Sequence, residues 1–269
     1  MGAAQISITE FQQLAALLYQ ESGIALPLEK QEMMGGRLRK RLEATGLASL
    51  SEYLRLVKSD RLELTEFINV MTTNKTDFFR EKSHFEYLAK EVLPAHPPER
   101  ICMGWSAASS TGQELYTIGM ICSEYRKLQS RFDFRLVGTD IDTQVLEAAE
   151  HGIYEAHTLA PVEPVYVHSY FDRSRSKDLF KIKDSLKEKC KFRQNNLMLP
   201  RSDWGAVKFD FVFLRNVLIY FDEESTRRVL SNITAHMHSG ALLFIGHSET
   251  LRNASKELTF VGDSIYRKI

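Results

Sequence analysis

Arg100-Ile-Cys-Met-Gly-Trp-Ser-Ala-Ala-Ser-Ser-Thr-Gly-Gln-Glu-Leu-Tyr-Thr-Ile-Gly-Met120 is the stretch on which the reading of the fold turns. Ile101, Cys102, Met103 and Trp105 make a short apolar run, Ser106 to Gly112 a turn of small, mostly polar residues, and a helical pattern follows. A strand that breaks at small residues and restarts as a helix presents backbone N–H groups at the helix N-terminus, where a nucleotide-like ligand can approach the main chain. The G-x-G-x-x-G spacing is missing, because Gly112 is preceded by Ala107, Ala108, Ser109 and Ser110. Alone, the turn also suits an ordinary buried strand-to-helix connection.

Three features further along favour the ligand. Phe134 to Thr139 reads as a second buried strand ending on Asp140, where an acidic residue of a doubly wound sheet hydrogen-bonds the ribose hydroxyls of an adenine nucleoside. Asp142 then reads as a helix N-cap, Val145, Leu146 and Ala149 as the apolar face, and Gly152 as the stop. Phe209 to Leu214 is a further apolar strand running directly into Arg215 and Asn216, polar residues placed where open α/β sheets bind ligands.

Composition narrows the class. With 269 residues the chain can bury one large core or two smaller ones, and 43% hydrophobic with 26% charged residues is ordinary for a globular protein. A formal net charge of +0 argues against a general nucleic-acid binder. Cys102, Cys122 and Cys190 are an odd number without C-x-x-C spacing and read as buried thiols in a reducing compartment. No stretch approaches the roughly 18 uninterrupted apolar residues of a membrane span, and the N-terminus shows no basic region followed by an apolar one. A cytoplasmic protein, not inserted in a membrane, is expected; the eight histidines show no metal-ligand spacing, so no metal is expected.

The first part of the chain is helical. Ser7 with Glu10 has capping-box spacing ahead of Phe11, Leu14, Leu17 and Leu18, and Gly23 ends that helix. A second helix over about Glu29 to Thr45 places Met34, Leu38 and Leu42 on one face and Arg37, Lys40 and Arg41 on another. Those cations form either a solvated surface or a docking face for an acidic partner. Ser51 to Val57 and Leu62 to Met71, the latter opened by Asp60 with Glu63, complete a bundle. Thr72 to Arg80 follows without helical pattern; Asn74, Thr76 and Arg80 either cap turns or offer hydrogen bonds and a charge to a ligand carboxylate. A helix over about Lys82 to Leu93 and a proline-bearing linker from Pro94 to Pro98 lead into the sheet. Between Gly152 and Asn196 the alternation of strand and helix lapses. Tyr166 to Phe171, Leu179 to Lys183 and Lys191 to Gln194 suit a small antiparallel excursion, basic through Arg173, Arg175, Lys177, Lys181, Lys183, Lys187 and Lys189. The chain ends as helix Glu223 to Met237, strand Ala241 to Ile245, and strands near Leu258 to Val261 and Ser264 to Lys268 forming an antiparallel hairpin.

Thr72-Thr-Asn-Lys-Thr-Asp-Phe-Phe-Arg80, Trp105-Ser-Ala with Ser110-Thr-Gly, Thr139-Asp-Ile-Asp142, Asn196-Leu197, Arg215-Asn-Val-Leu-Ile-Tyr-Phe-Asp222 and Gly246-His-Ser-Glu249 stand in the order seen in the CheR family. The chain thus resembles chemotaxis receptor glutamate methyltransferases that use S-adenosylmethionine. The resemblance implies an α/β protein: a helical receptor-docking domain (1–75), a connecting segment (76–98), and a class I, Rossmann-like methyltransferase domain (99–269) carrying an antiparallel β subdomain at about 166–195. It implies that Asn74, Thr76 and Arg80 touch the cofactor, Glu114 its methionine ammonium, Asp140 the ribose, and Asn196, Leu197, Arg215 and Asn216 its adenosine and methionine surroundings. Arg80 and Tyr220 would line the methyl-transfer site, and Arg37, Lys40 and Arg41 would meet the methylation helices of a chemoreceptor. In some members the β subdomain also grips a peptide at the receptor C-terminus. A monomer that binds no nucleic acid is expected. Two positions depart from the family pattern: Gln113 replaces one of two adjacent carboxylates, and Leu214 replaces a cysteine.

A glutamate carboxylate, with an ordinary pKa near 4.3, is ionised at neutral pH, so the implied reaction needs no general base. Arg80 would orient the carboxylate and the Tyr220 hydroxyl would direct methyl or substrate. His247-Ser-Glu249 lacks the G-x-S-x-G of a hydrolase, and His247 reads better as fixing its loop. Rival readings are a nicotinamide-dependent dehydrogenase, since Asp140 also suits NAD, and a scaffold that binds cofactor and receptor without transfer. The same chemistry on a receptor governing surface attachment is a third.

Overall fold

The computed structural model describes residues 6–175, 178–251 and 254–269, so Lys177 of the expected basic excursion lies outside the described residues. Helix α1 (Ile8–Ser22) starts with the expected box: the Glu10 N–H donates to Ser7 Oγ (3.2 Å) and the Ser7 N–H to Glu10 Oε2 (3.0 Å). A 3₁₀ turn (Leu28–Lys30) precedes α2 (Gln31–Thr45); α3 (Leu50–Ser59) and α4 (Arg61–Met71, capped by Asp60) follow. Their periodic faces meet: Phe11, Leu14, Leu18, Met34, Leu38, Tyr53 and Phe67 are buried in one core. Each such side chain contributes roughly 1.5–3 kcal/mol of transfer free energy, which is what holds helices of this length together.

The expected helix after Arg80 forms as α5 (Lys82–Tyr87), a π turn (Leu88–Val92) and the short α6 (Leu93–Ala95). Pro94 has no N–H to donate four residues back, and the wider turn immediately precedes it.

The main sheet is built from β1 (Cys102–Ser106), β2 (Phe134–Asp140), β6 (Cys190–Gln194), β7 (Phe209–Leu214), β8 (Met237–Ile245), β9 (Leu258–Gly262) and β10 (Ile265–Lys268), in the order β6-β2-β1-β7-β8-β10-β9. The first five strands of that order are parallel; β8-β10 and β10-β9 are antiparallel, so the closing hairpin forms as expected. Crossovers run through α7 (Gln113–Leu128), α8 (Thr143–His151, capped by Asp142) and α11 (Glu223–Thr234). From β1 the chain builds outward through β2 to one side and later resumes at β7 on the other, so the order reverses between β1 and β7. Ligand crevices of doubly wound sheets open at such a point.

The excursion differs from expectation. A separate antiparallel sheet exists, in the order β3-β5-β4, from β3 (Ile153–Glu155), β4 (Phe171–Arg173) and β5 (Leu179–Ile182). Tyr166 to Tyr170 is not strand but helix α9 (Pro164–Tyr170), opened by Pro164 at its first turn, and a short α10 (Asp184–Lys187) follows β5. Lys191 to Gln194 belongs to β6, the parallel edge of the main sheet. Its alternation arises because Cys190 and Phe192 face the core while Lys191 and Arg193 face outward; a one-sided parallel edge strand has the same period as an antiparallel one. Part of the basic character is paired, Lys189 with Asp133, Lys181 with Asp184 and Arg173 with Asp178, while Lys183 and Lys187 keep their charge and donate to the carbonyls of His168 and His151.

Candidate active site

Past β1, the Ala107 N–H still bonds to Phe213 and the Ser109 N–H to Thr139, so the turn hangs between both neighbouring strands. Gly112, at φ +93°, ends it; a Cβ there would lie 3.0–3.1 Å from Ala149, Phe192 and Tyr154. The Tyr154 hydroxyl donates to the Thr111 carbonyl at 2.7 Å, bracing the turn from the smaller sheet. Gln113 accepts from the Thr111 hydroxyl and is not among the pocket-lining residues, so the exchange of a carboxylate for Gln113 leaves the pocket wall unaltered.

At the carboxyl ends of β1, β2 and β7 lies a cavity of about 520 Å³, walled on one side by the sheet and on the other by the helical domain. Asn74, Thr76, Arg80, Glu114, Asp140, Asn196, Leu197, Arg215, Asn216 and Tyr220 all line it. Asp140 is buried at the end of β2; its Oδ2 accepts the Ser110 N–H (2.9 Å) and its Oδ1 the Asp142 N–H (3.1 Å). Burial pushes its carboxyl up to about 6 against the pull of those two N–H groups. Glu114 accepts the Ser106 hydroxyl at 2.7 Å and lies 3.5 Å from Arg215 Nε; burial raises its pKa, and Arg215 opposes the rise. Arg215 is 1% exposed, sits 5.2 Å above the Phe85 ring, and has Nε and Nη1 without hydrogen-bond partners among the described residues.

These features fit S-adenosylmethionine. Buried N–H donors left over on Arg215 call for an anion such as the methionine carboxylate, mostly buried Glu114 for a cation such as its ammonium, and desolvated Asp140 for hydroxyl donors such as the ribose's. Two expected cofactor contacts are otherwise engaged. Asn74 Nδ2 donates to Asp142 Oδ2 (2.7 Å) and Thr72 Oγ1 (3.0 Å), and Asn196 Nδ2 to the Glu21 carbonyl (2.6 Å). Both fix the pocket wall, tying it to α8 and to the end of α1. Arg80 donates to the Lys75 carbonyl at 3.0 Å, which ties its own loop together.

Two of the three expected docking cations turn toward α4. Arg37 lines the cavity and donates to the carbonyls of Val70, Met71 and Thr72, which α4 leaves unpaired at its end. Arg41 forks onto Glu63 (2.6 Å) and reaches Glu66 (3.3 Å), so its charge serves the helical core; Lys40 alone is exposed.

Two carboxylates emerge that sequence reasoning assigned no such role. Glu249 accepts N–H groups from Asn216 (2.8 Å), Gly246 (2.6 Å) and Leu218 (2.8 Å), holding Asn216 at φ +55° and with it the turn that presents Arg215 and Tyr220. Glu81 lies 3.4 Å from Arg215 and accepts from Asn216 Nδ2 at 3.3 Å. Glu249 stood in a quoted motif, whereas nothing near Glu81 signalled its place. The segment Ile24 to Pro27 also lines the cavity, and the Ala25 N–H donates to the Tyr220 carbonyl at 3.0 Å.

Fold and site define a class I S-adenosylmethionine-dependent methyltransferase. The all-alpha domain of CheR methyltransferases matches residues 9–72 and their SAM binding domain residues 74–266. The chemotaxis protein methyltransferase of Klebsiella aerogenes is 35% identical over 266 residues, spanning 97% of this chain and 90% of its own. Chemotaxis protein methyltransferase 2 of Pseudomonas aeruginosa is 36% identical over 265 residues (96% and 92%), and the Escherichia coli chemotaxis protein methyltransferase 34% over 265 (97% and 91%). The chain belongs to the CheR methyltransferase family, and its cofactor is S-adenosylmethionine rather than NAD. No helix among the described residues is long and apolar enough to cross a membrane.

Proposed function

We propose that the protein methylates glutamate side-chain carboxylates of bacterial chemoreceptors, giving methyl esters and S-adenosylhomocysteine in sensory adaptation. The observation that carries this is the convergence of Glu114, Asp140, Arg215, Arg80 and Tyr220 on one cavity roofed by the helical domain. S-adenosylmethionine supplies an electrophilic methyl group on a sulfonium that leaves as a neutral thioether.

The protein's part is placement. Glu114 and Arg215 hold the methionine end, Asp140 the ribose, and the wall made by Leu197 and Ala107 keeps water from the cavity floor. An incoming carboxylate is already ionised, so no residue must take a proton from it. Arg80 offers it charge-assisted hydrogen bonds at the mouth, and Tyr220, with its carbonyl held by Ala25, directs its hydroxyl at the transfer position. Alignment of this kind lowers barriers by roughly 7–11 kcal/mol at best. Of Arg37, Lys40 and Arg41, Lys40 is the exposed cation that remains to attract the methylation helices, while Arg37 and Arg41 keep the docking domain in shape. The small β3-β5-β4 sheet, with β3 and β4 at its edges, offers a tethering peptide a strand to pair with. The enzyme works as a cytoplasmic monomer.

The test is transfer of labelled methyl from S-adenosylmethionine to membranes carrying the host's chemoreceptors, scored as base-labile ester. Label lost on receptor Glu→Ala substitution is the expected result. Absence of label despite tight binding of S-adenosylhomocysteine would point to a scaffold, and label on a receptor unrelated to swimming would move the activity to another pathway.

A further inference from the structure

Behind the cavity wall lies a cluster that methyl transfer does not use. Glu81 and His84, at the start of α5, meet His247, in the loop after β8, and one ligand atom from each lies within 4.8 Å of the others. His84 is fully buried. Its Nε2 is 2.7 Å from the Asp263 carbonyl, which can only accept, so Nε2 carries the proton and Nδ1 presents a lone pair. That Nδ1 has no hydrogen-bond partner and faces Glu81 Oε2 at 3.8 Å. A buried lone pair aimed at a carboxylate is repulsive unless a cation sits between them.

We propose that Glu81 Oε2, His84 Nδ1 and His247 bind one divalent transition-metal ion of the zinc type. Two imidazoles and one carboxylate, with a position left for water, are a usual zinc donor set, and a ligating histidine commonly gives its other N–H to a carbonyl as His84 does. Donors about 2.0–2.2 Å from one tetrahedral ion lie roughly 3.3–3.6 Å apart, so the cluster, whose atoms lie within 4.8 Å, must close by up to about 1.5 Å. His247 can make it: its side chain is 43% exposed and stands on a loop, which also gives the ion its way in. Charge favours the ion too. Glu81 and Glu114 both lie against the one buried guanidinium of Arg215, at 3.4 and 3.5 Å, and the Asp263 carboxylate adds a third negative group 3.4 Å from His247 Nε2. Glu81 is shared with Arg215, so occupancy of the site is linked to the cofactor pocket.

The site is tested by metal binding alone, independently of methyl transfer. The full chain, stripped with chelator, is titrated with Zn²⁺ by calorimetry and with Co²⁺ by visible absorption. One equivalent should bind with cobalt bands of low-coordinate geometry. His247→Ala, at a partly exposed position where folding is safe, and Glu81→Gln should each weaken binding by about 10–100-fold. His151→Ala, at an exposed histidine elsewhere, should not. Binding below one equivalent, octahedral cobalt spectra, or equal affinity in wild type and His247→Ala would each overturn the assignment and leave only adventitious surface binding.

Discussion

Lowering the pH should release the cofactor through Asp140. Its buried carboxyl stands at about 6 instead of 3.8. A value raised on folding means that the group's contribution to stability is full below 3.8 and lost as the pH passes through 6, a penalty on the order of 3 kcal/mol at neutral pH. Ribose hydroxyls donating to the carboxylate offset that penalty, so binding favours the ionised form and draws a proton off when it starts from the acid. At about pH 5 only about a tenth of the free protein carries ionised Asp140, and the affinity for S-adenosylhomocysteine should be about tenfold below that at about pH 8. Glu114 is shifted in the same direction and can steepen the slope. Calorimetric titration across this range, in two buffers of different ionisation enthalpy, measures affinity and proton release together. Asp140→Asn should lose roughly 10–100-fold in affinity at the upper end, since charge-assisted hydrogen bonds are worth about 1.5–3 kcal/mol each, and its slope should flatten to what Glu114 supplies. Removing Glu114's part with Glu114→Gln should leave the Asp140 slope standing. A wild-type affinity that is level from about pH 5 to 8, or an Asp140→Asn protein with the full slope, would refute the assignment of Asp140 to the ribose.

Tyr220→Phe should keep its S-adenosylhomocysteine affinity within about twofold while turnover at saturating cofactor falls by about tenfold or more, as expected for a lost hydrogen bond of 1–2 kcal/mol; full turnover removes the hydroxyl from the reaction. Arg41→Ala should destabilise folding by about 3–5 kcal/mol in urea titration, because it leaves the buried Glu63 carboxylate without its cation, whereas Lys40→Ala should leave stability within about 0.5 kcal/mol and lower receptor methylation. A stable Arg41→Ala protein with weak receptor binding would restore Arg41 to the docking face. Glu249→Ala strips three N–H groups of their acceptor and should cost at least about 3 kcal/mol of stability, or else weaken cofactor binding by freeing the Arg215 turn; a variant with neither change shows that the turn stands without Glu249.

What could be read in the sequence was whatever is local. Capping by Ser7, Asp60 and Asp142 and the stops at Gly23 and Gly152 lie where the pattern puts them, and β7 runs over the expected residues because an unbroken apolar run of that length has few other uses. Assigning Lys191 to Gln194 failed for a definite reason: period-two alternation reports one buried face, not the direction of the neighbouring strand. Tyr166 to Tyr170 is helical because Pro164, whose fixed φ suits the first turn, starts a helix there, which apolar alternation over so short a run does not exclude. The surroundings of the expected docking cations were equally out of reach: three and seven residues after Met34, Arg37 and Arg41 flank the buried face of α2, and α2 alone does not show that α4 brings Glu63 and its own unpaired carbonyls up to meet them. Glu81, His84 and His247 could not have been found by spacing, which detects ligands only when they share one segment.

The helical domain is more than an adaptor bolted onto a catalytic sheet. Tyr220 has its carbonyl held by Ala25, Phe221 bridges to Ile24, the Tyr19 hydroxyl donates to Asp222 at 2.8 Å, and Asn196 reaches back to Glu21. From the other end of the same domain, Asn69 and Thr72 bond to Thr143 and Asp142 at the cap of α8, next to the buried Asp140. The cavity is therefore closed from two sides by the helical domain. Any tilt of that domain on binding shifts Tyr220 and the Asp140 loop together, because both hang from it through hydrogen bonds shorter than about 3 Å. Seating of the helical domain and retention of the cofactor are thus mechanically joined: a chain without residues up to about 72 lacks one wall of the cavity and should lose cofactor affinity, which titration of the shortened chain with S-adenosylhomocysteine measures.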